Sequence, residues 1–278
     1  MANEHRWLGW AACVVCIAFG CSDSGSGDTT GGGGSGAGGA GSDDDSTGTG
    51  FTVGGGGNGL GQGGNCAPNL VGTVRDFRAY NDGQGHPDFE TFTGDGLDGI
   101  VEDELGADHK PVYAHDGPTQ YTTGPEEFDQ WYRDVPDVNI AIPFTITPTI
   151  DDDGTLTYDN TAFFPIDGQG FGNEDNPHNF HFTFELHMEF AYKGGEVFTF
   201  TGDDDLWVFI NDKLAIDLGG LHSSLSETID LDARAAELGI TPGNTYALDL
   251  FHAERHTDAS NFRIQSSLEF TNCAPIVY

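Results

Sequence analysis

Three consecutive carboxylates, Asp203, Asp204 and Asp205, stand directly before the apolar run Leu206-Trp207-Val208-Phe209-Ile210. Adjacent acids at the head of a buried strand repel one another, and without a cation some are pushed towards protonation. Calcium would relieve that repulsion, because it accepts six to eight oxygen ligands in a flexible geometry. A solvated acidic turn whose side chains cap backbone amides is the other reading of the same residues.

A second group is His252, Glu254 and His256, which recur at every second position and so share one face of a strand. That spacing suits either zinc chelation or a hydrogen-bonded polar cluster, with Arg255 facing the other way and free to pair with an acid. It is not the helical HExxH arrangement. His222, after Gly219-Gly220, reads as structural. Asp82-Gly83-Gln84-Gly85 and Asp95-Gly96-Leu97-Asp98 faintly resemble calcium loops but lack EF-hand spacing. No nucleophile elbow, phosphate-binding glycine loop or evident triad occurs. A pair of carboxylates for glycoside hydrolysis would depend on separations that only the fold sets.

The elements that carry these residues are mostly strands. From Asn179 to Phe190 six apolar residues alternate with polar ones, which predicts a strand with one buried face. Glu196 to Thr201 predicts the next strand, and Leu206 to Ile210 a central one covered on both faces. Asn211-Asp212 suits a tight turn into Lys213 to Leu218. Further strands are predicted at Glu227 to Asp232, Thr245 to His256 and Phe262 to Phe270. A short helix from Ala233 ends at Gly239. The region before residue 179 is rich in Asp, Gly and Pro and reads as loops packed on the core, with a helical turn at Glu126 to Tyr132. Many strands and one or two short helices predict an all-β sandwich or barrel.

Ten Lys and Arg against 45 Asp and Glu give a formal charge of −35. Such a chain repels nucleic acid and anionic headgroups, which leaves metal cations and neutral sugars as partners. The apolar run Trp7 to Gly20 has signal-peptide length, so residues 1–20 read as an export signal. Ala18-Phe19-Gly20-Cys21 resembles the lipobox of bacterial lipoproteins, which would make Cys21 the acylated N-terminus. Residues 21–65 form a linker: of the 44 residues from Ser22 to Asn65, 20 are Gly, too little apolar matter to fold. As a coil it would hold the domain beyond it about 35–40 Å from the anchor. The remaining cysteines, Cys66 and Cys273, bracket residues 66–278, so an oxidised bridge would clasp the ends of that domain. They have no CxxC spacing for a metal.

Gly202-Asp203-Asp204-Asp205-Leu206-Trp207-Val208-Phe209-Ile210-Asn211, then Leu218-Gly219-Gly220-Leu221-His222, then Phe251-His252-Ala253-Glu254-Arg255-His256 resemble the fibro-slime domain. Arg75-Asp76-Phe77, His86-Pro87-Asp88-Phe89-Glu90, Trp131-Tyr132-Arg133-Asp134-Val135 and Ser260-Asn261-Phe262-Arg263 extend the resemblance in order over about residues 74 to 270. That family is similar to PA14 β-barrels, which serve as binding or accessory modules. In its adhesin branch two consecutive aspartates hold Ca²⁺ that ligates sugar hydroxyls; Asp203 and Asp204 match those positions. Asp205 stands where that branch often has Gly, and the second calcium loop falls on Asp258, Ser260 and Asn261. The resemblance implies a non-catalytic, calcium-assisted adhesion module binding polysaccharide or glycoprotein in a bacterial slime or biofilm matrix, anchored to the outer membrane at the cell surface or secreted. A self-associating matrix protein and a carbohydrate-active enzyme are the competing readings.

Overall fold

The computed structural model describes residues 69–257, 259–272, 276 and 278. The signal, linker, Cys21, Cys66, Cys273 and Asp258 lie outside the described residues.

Two antiparallel sheets face each other. The larger contains β1 (Leu70–Phe77), β2 (Asn139–Ile146), β5 (Phe182–Tyr192), β7 (Asp205–Ile210), β8 (Lys213–Leu218) and β10 (Asn244–Glu254), in the order β2-β1-β5-β10-β7-β8. The short β12 (Glu269–Phe270) adds to it beside β5. The smaller contains β3 (Thr149–Ile150), β4 (Leu156–Asn160), β6 (Val197–Gly202), β9 (Leu225–Asp230) and β11 (Phe262–Ser266), in the order β3-β4-β11-β6-β9. The fold is all-β, as the sequence predicts.

Between the sheets lies a phenylalanine-rich core that includes Phe182, Phe184, Phe198, Phe200 and Phe262. A second core occupies the outer face of the larger sheet, where Trp207, Phe209 and Phe251 meet Phe89, Phe128, Trp131 and Tyr132 from the segment between β1 and β2. This corrects the expectation that β5 buries one face. Thr183, Glu185 and His187 on its polar side are buried as well, because that segment covers them. Arg75 and Lys110 reach Glu185 at 2.8 and 2.6 Å, and His187 Nδ1 meets Asp249 Oδ1 at 2.7 Å, so the covered charges are paired. Burial pushes the Glu185 carboxyl up, but its contacts with His187, Arg75 and Lys110 outweigh that and hold it down at about 2.

The region before residue 179 is also more regular than its composition suggests, since it supplies β1, β2, β3 and β4. The helical turn is α1 (Pro125–Phe128), with Phe128, Trp131 and Tyr132 buried. Helix α2 (Leu231–Leu238) begins two residues earlier than predicted, because the Asp230 side chain caps it by accepting from the Ala233 N–H; it ends at left-handed Gly239, φ 69°. At the β7–β8 turn Asn211 and Asp212 both take positive φ, 53° and 64°. The strand predicted from Phe262 to Phe270 is broken after Ser266, where the chain leaves the smaller sheet and rejoins the larger as β12.

Candidate functional site

Two connections cross between the sheets side by side. The link from β6 to β7 carries Asp203 and Asp204, and the link from β10 to β11 carries His256 to Asn261. Register makes them neighbours: Phe262 on β11 pairs with Gly202 on β6, and Ala253 on β10 pairs with Asp205 on β7. The approach is close enough that a Cβ on Gly202 would stand 2.6 Å from the Asn261 carbonyl oxygen, so only glycine fits.

Each acid of the triplet has a different environment. Asp203 is clamped by Asn261, whose backbone N–H donates to Oδ1 and whose Nδ2 donates to Oδ2 at 2.6 Å. Asp204, with φ at 54°, accepts the Arg255 backbone N–H on Oδ2 at 2.8 Å. Burial, reinforced by the charges of Asp205 and Asp203 and opposed by Arg255, pushes its carboxyl up to about 7. Asp205 faces the outer core and is fully committed: Oδ2 meets Arg255 Nε at 2.7 Å and Oδ1 accepts the Gly220 N–H at 2.7 Å. Arg255, itself fully buried, also donates to the carbonyls of Asp88 and Tyr121 and lies over the Trp131 ring at 4.6 Å.

The residues at every second position separate at the end of β10. His252 and Glu254 share the inter-sheet face and are fully buried, whereas His256 lies beyond the strand and is partly exposed. Burial lowers His252 to about 4, so the neutral ring donates from Nε2 to the Asp203 carbonyl at 3.3 Å. Glu254 makes no hydrogen bond from either carboxylate oxygen. Burial and then the nearby Asp204 and Asp203 charges raise it well above the usual carboxylate range. Ser260 Oγ lies near it but donates its own proton to the Phe163 carbonyl at 2.8 Å.

Glu90 fixes the second connection from outside, a role that its place in His86-Pro87-Asp88-Phe89-Glu90 does not reveal. Its carboxylate accepts the Thr257 N–H at 3.0 Å and the Thr257 hydroxyl at 2.6 Å, and meets His181 Nε2 at 2.9 Å. Asp203, Asp204, His222, His256 and Asn261 then line an open cavity of about 410 Å³, whose far wall is Thr93, Gly94 and Asp95. A separate cleft of about 530 Å³ is lined by Asp98, Asp103, Glu104, Asp217 and Glu227 with Lys213 and Arg234. Burial pushes Asp217 up, yet both its oxygens are engaged, by Gly99 N–H and Trp207 Nε1.

The cavity's oxygen ligands are carboxylates, an amide and hydroxyls, a hard set that suits calcium, and the His222 and His256 imidazoles stand beside them. An orphaned buried carboxylate beside two others is the feature that a cation would satisfy. Among the described residues no three His, Cys, Asp or Glu side chains already converge as a metal cage.

The PA14 domain matches residues 143–275. This all-β, PA14-like segment runs from within β2 to beyond β12 and so contains both crossings. Protein psiD of Dictyostelium discoideum is 42% identical over 198 residues, covering 66% of this chain and 38% of that protein. Protein psiC of the same organism is 39% identical over 204 residues, covering 67% and 39%. The chain therefore spans well under half of either relative. Among solved structures, a PA14 sugar-binding domain from an RTX adhesin aligns at TM-score 0.33 and 9% identity, covering 74% of this chain and 97% of that one. The PA14 domain of the antifreeze protein MpAFP aligns at TM-score 0.26 and 12% identity, covering 40% and 64%. Among the described residues no helix is long and apolar enough to cross a membrane.

Proposed function

We propose that this chain is an extracellular binding module that holds polysaccharide or glycoprotein in a matrix with the help of calcium. The observation that carries the reading is the juxtaposition of the two inter-sheet crossings, which puts Asp203, Asp204 and Asn261 on one wall of an open cavity. The PA14 match supports binding over catalysis as the role of that cavity.

Asp203 and Asp204 would hold the ion, with Asn261 orienting Asp203 and contributing from the second loop. Bound calcium would supply coordination positions for vicinal sugar hydroxyls. The chain's own residues supply the rest. Arg255 and Glu90 fix the two loops, and buried Asp205 locks the first of them to β10. Export, acylation of Cys21, a tether from Ser22 to Asn65 and the Cys66–Cys273 clasp belong to the same proposal, because a matrix-binding module works outside the cell at a distance from its anchor.

The test is a glycan array probed with the full mature chain in calcium and in chelator. Calcium-dependent glycan signal supports the reading. Silence accompanied by self-association in calcium would replace it with a structural matrix protein, and turnover of a bound glycan with an enzyme.

A further inference from the structure

We infer that Glu254 is an inward-facing ligand of the cation site, the third carboxylate behind Asp203 and Asp204. The inference rests on the calcium reading above and extends it to a residue that the sequence groups with His252 and His256 rather than with the acids at 203 and 204, and that does not line the cavity.

Glu254 is the last residue of β10 and points into the space between the sheets, at the end where both crossings pass. It has no exposure to solvent and no hydrogen-bond partner on either oxygen. A carboxylate in that condition calls for a positive partner. The nearest side chains do not provide one. Arg255 faces the opposite side of the sheet and is spent on Asp205. His252 Nε2 is turned to the Asp203 carbonyl, and Phe182 stands across the ladder.

What does surround Glu254 is acceptors. Asp203 and Asp204 bring carboxylates, and Ser260 brings an oxygen whose proton is already given to Phe163. Acceptors facing acceptors have no attraction of their own, and a centre of positive charge shared among them turns the arrangement from repulsive to cohesive. The shell is all oxygen, which selects a hard ion, and calcium tolerates the irregular spacing of three carboxylates on two different loops better than magnesium does.

The experiment compares the full mature chain with its Glu254→Gln and Asp203→Asn/Asp204→Asn variants, by calcium calorimetry and by thermal melting in calcium and in chelator. Glu254→Gln keeps the shape and removes the charge. In chelator it is expected to melt at or above the parent chain, since the amide N–H can donate to the acceptors around it, and in calcium below it, with calcium affinity reduced about tenfold or more. That change of melting order with calcium would not arise from a residue that merely packs. Equal calcium affinity in Glu254→Gln and the parent, with binding lost in the double variant, overturns the inference and leaves the proposed function standing. A parent chain that takes up no calcium overturns both. If Glu254→Gln does not fold, Glu254→Asp is read in its place: weaker calcium binding supports the role and unchanged binding overturns it.

Discussion

Arg255 Nε stands 2.7 Å from Asp205 Oδ2, and neither side chain has any exposure to solvent. The pair ties the start of β7 to the residue after β10, directly behind the acids of the cavity. Removing one partner strands the other charge in the interior. Asp205→Ala is expected to cost about 3–5 kcal/mol, measured by urea unfolding. A loss under about 1 kcal/mol would mean that the pair does not hold these loops.

Gly220 accepts no side chain. Its φ is 79°, and an added Cβ would lie 2.8 Å from both Leu97 N and Tyr121 Cδ2. Gly220→Ala is therefore expected to destabilise by about 2–4 kcal/mol, from left-handed strain and overpacking together. Because the Gly220 N–H donates to Asp205, combining this change with Asp205→Ala should cost less than the two separately.

Glu185 sets a pH dependence. Its folded carboxyl sits at about 2, below the usual glutamate value near 4.3, so the unfolded chain binds its proton first as pH falls. The stability it contributes, about 3 kcal/mol, is fully present above the unfolded value and disappears as pH drops from about 4.5 towards 2. Unfolding free energy measured across that window should fall less steeply in Glu185→Gln than in the parent. Parallel slopes would remove Glu185 from the acid response.

The Tyr132 hydroxyl is buried in the outer core without a hydrogen-bond partner. Tyr132→Phe is expected to leave stability unchanged or raise it by about 1 kcal/mol, since an unmet donor is removed and the ring keeps its edge contact with Phe251. A clear loss of melting temperature would reveal a partner for that hydroxyl.

Asn261 donates twice to Asp203 and so orients it. In Asn261→Ala only the backbone donor survives, and calcium affinity by calorimetry is expected to drop about 10–100-fold, as for other residues that hold a ligand in place. Undiminished binding would separate Asp203 from the ion.

Legibility in the sequence follows how local the determining physics is. β7 and its turn into β8 are readable because an unbroken apolar run and two residues tolerant of positive φ act over a few positions. Alternation also locates β5, but it gives the side a residue faces and says nothing of what covers that side. Only the fold shows that the segment between β1 and β2 hides Glu185 and His187. β1 and β2 escape a reading by pattern because Gly72 and Pro143 interrupt them: Gly72 is demanded by the Glu185 carbonyl, 2.3 Å from where its Cβ would be, and Pro143 sits in the last strand of its sheet. The acids at 203 and 204 and Asn261 stand out by resemblance. Spacing groups Glu254 with His252 and His256, and its isolation among acceptors depends on two loops far apart in sequence.

The two crossings have a mechanical consequence. Each joins one layer to the other, so a ligand gripping both fastens four strands, β6, β7, β10 and β11, at a single corner. Load applied through such a ligand enters both layers together and has to shear whole ladders, and no single hairpin can be unzipped in isolation. Occupancy would then stiffen that corner while the opposite rim, where the β7–β8 turn lies, keeps its own freedom.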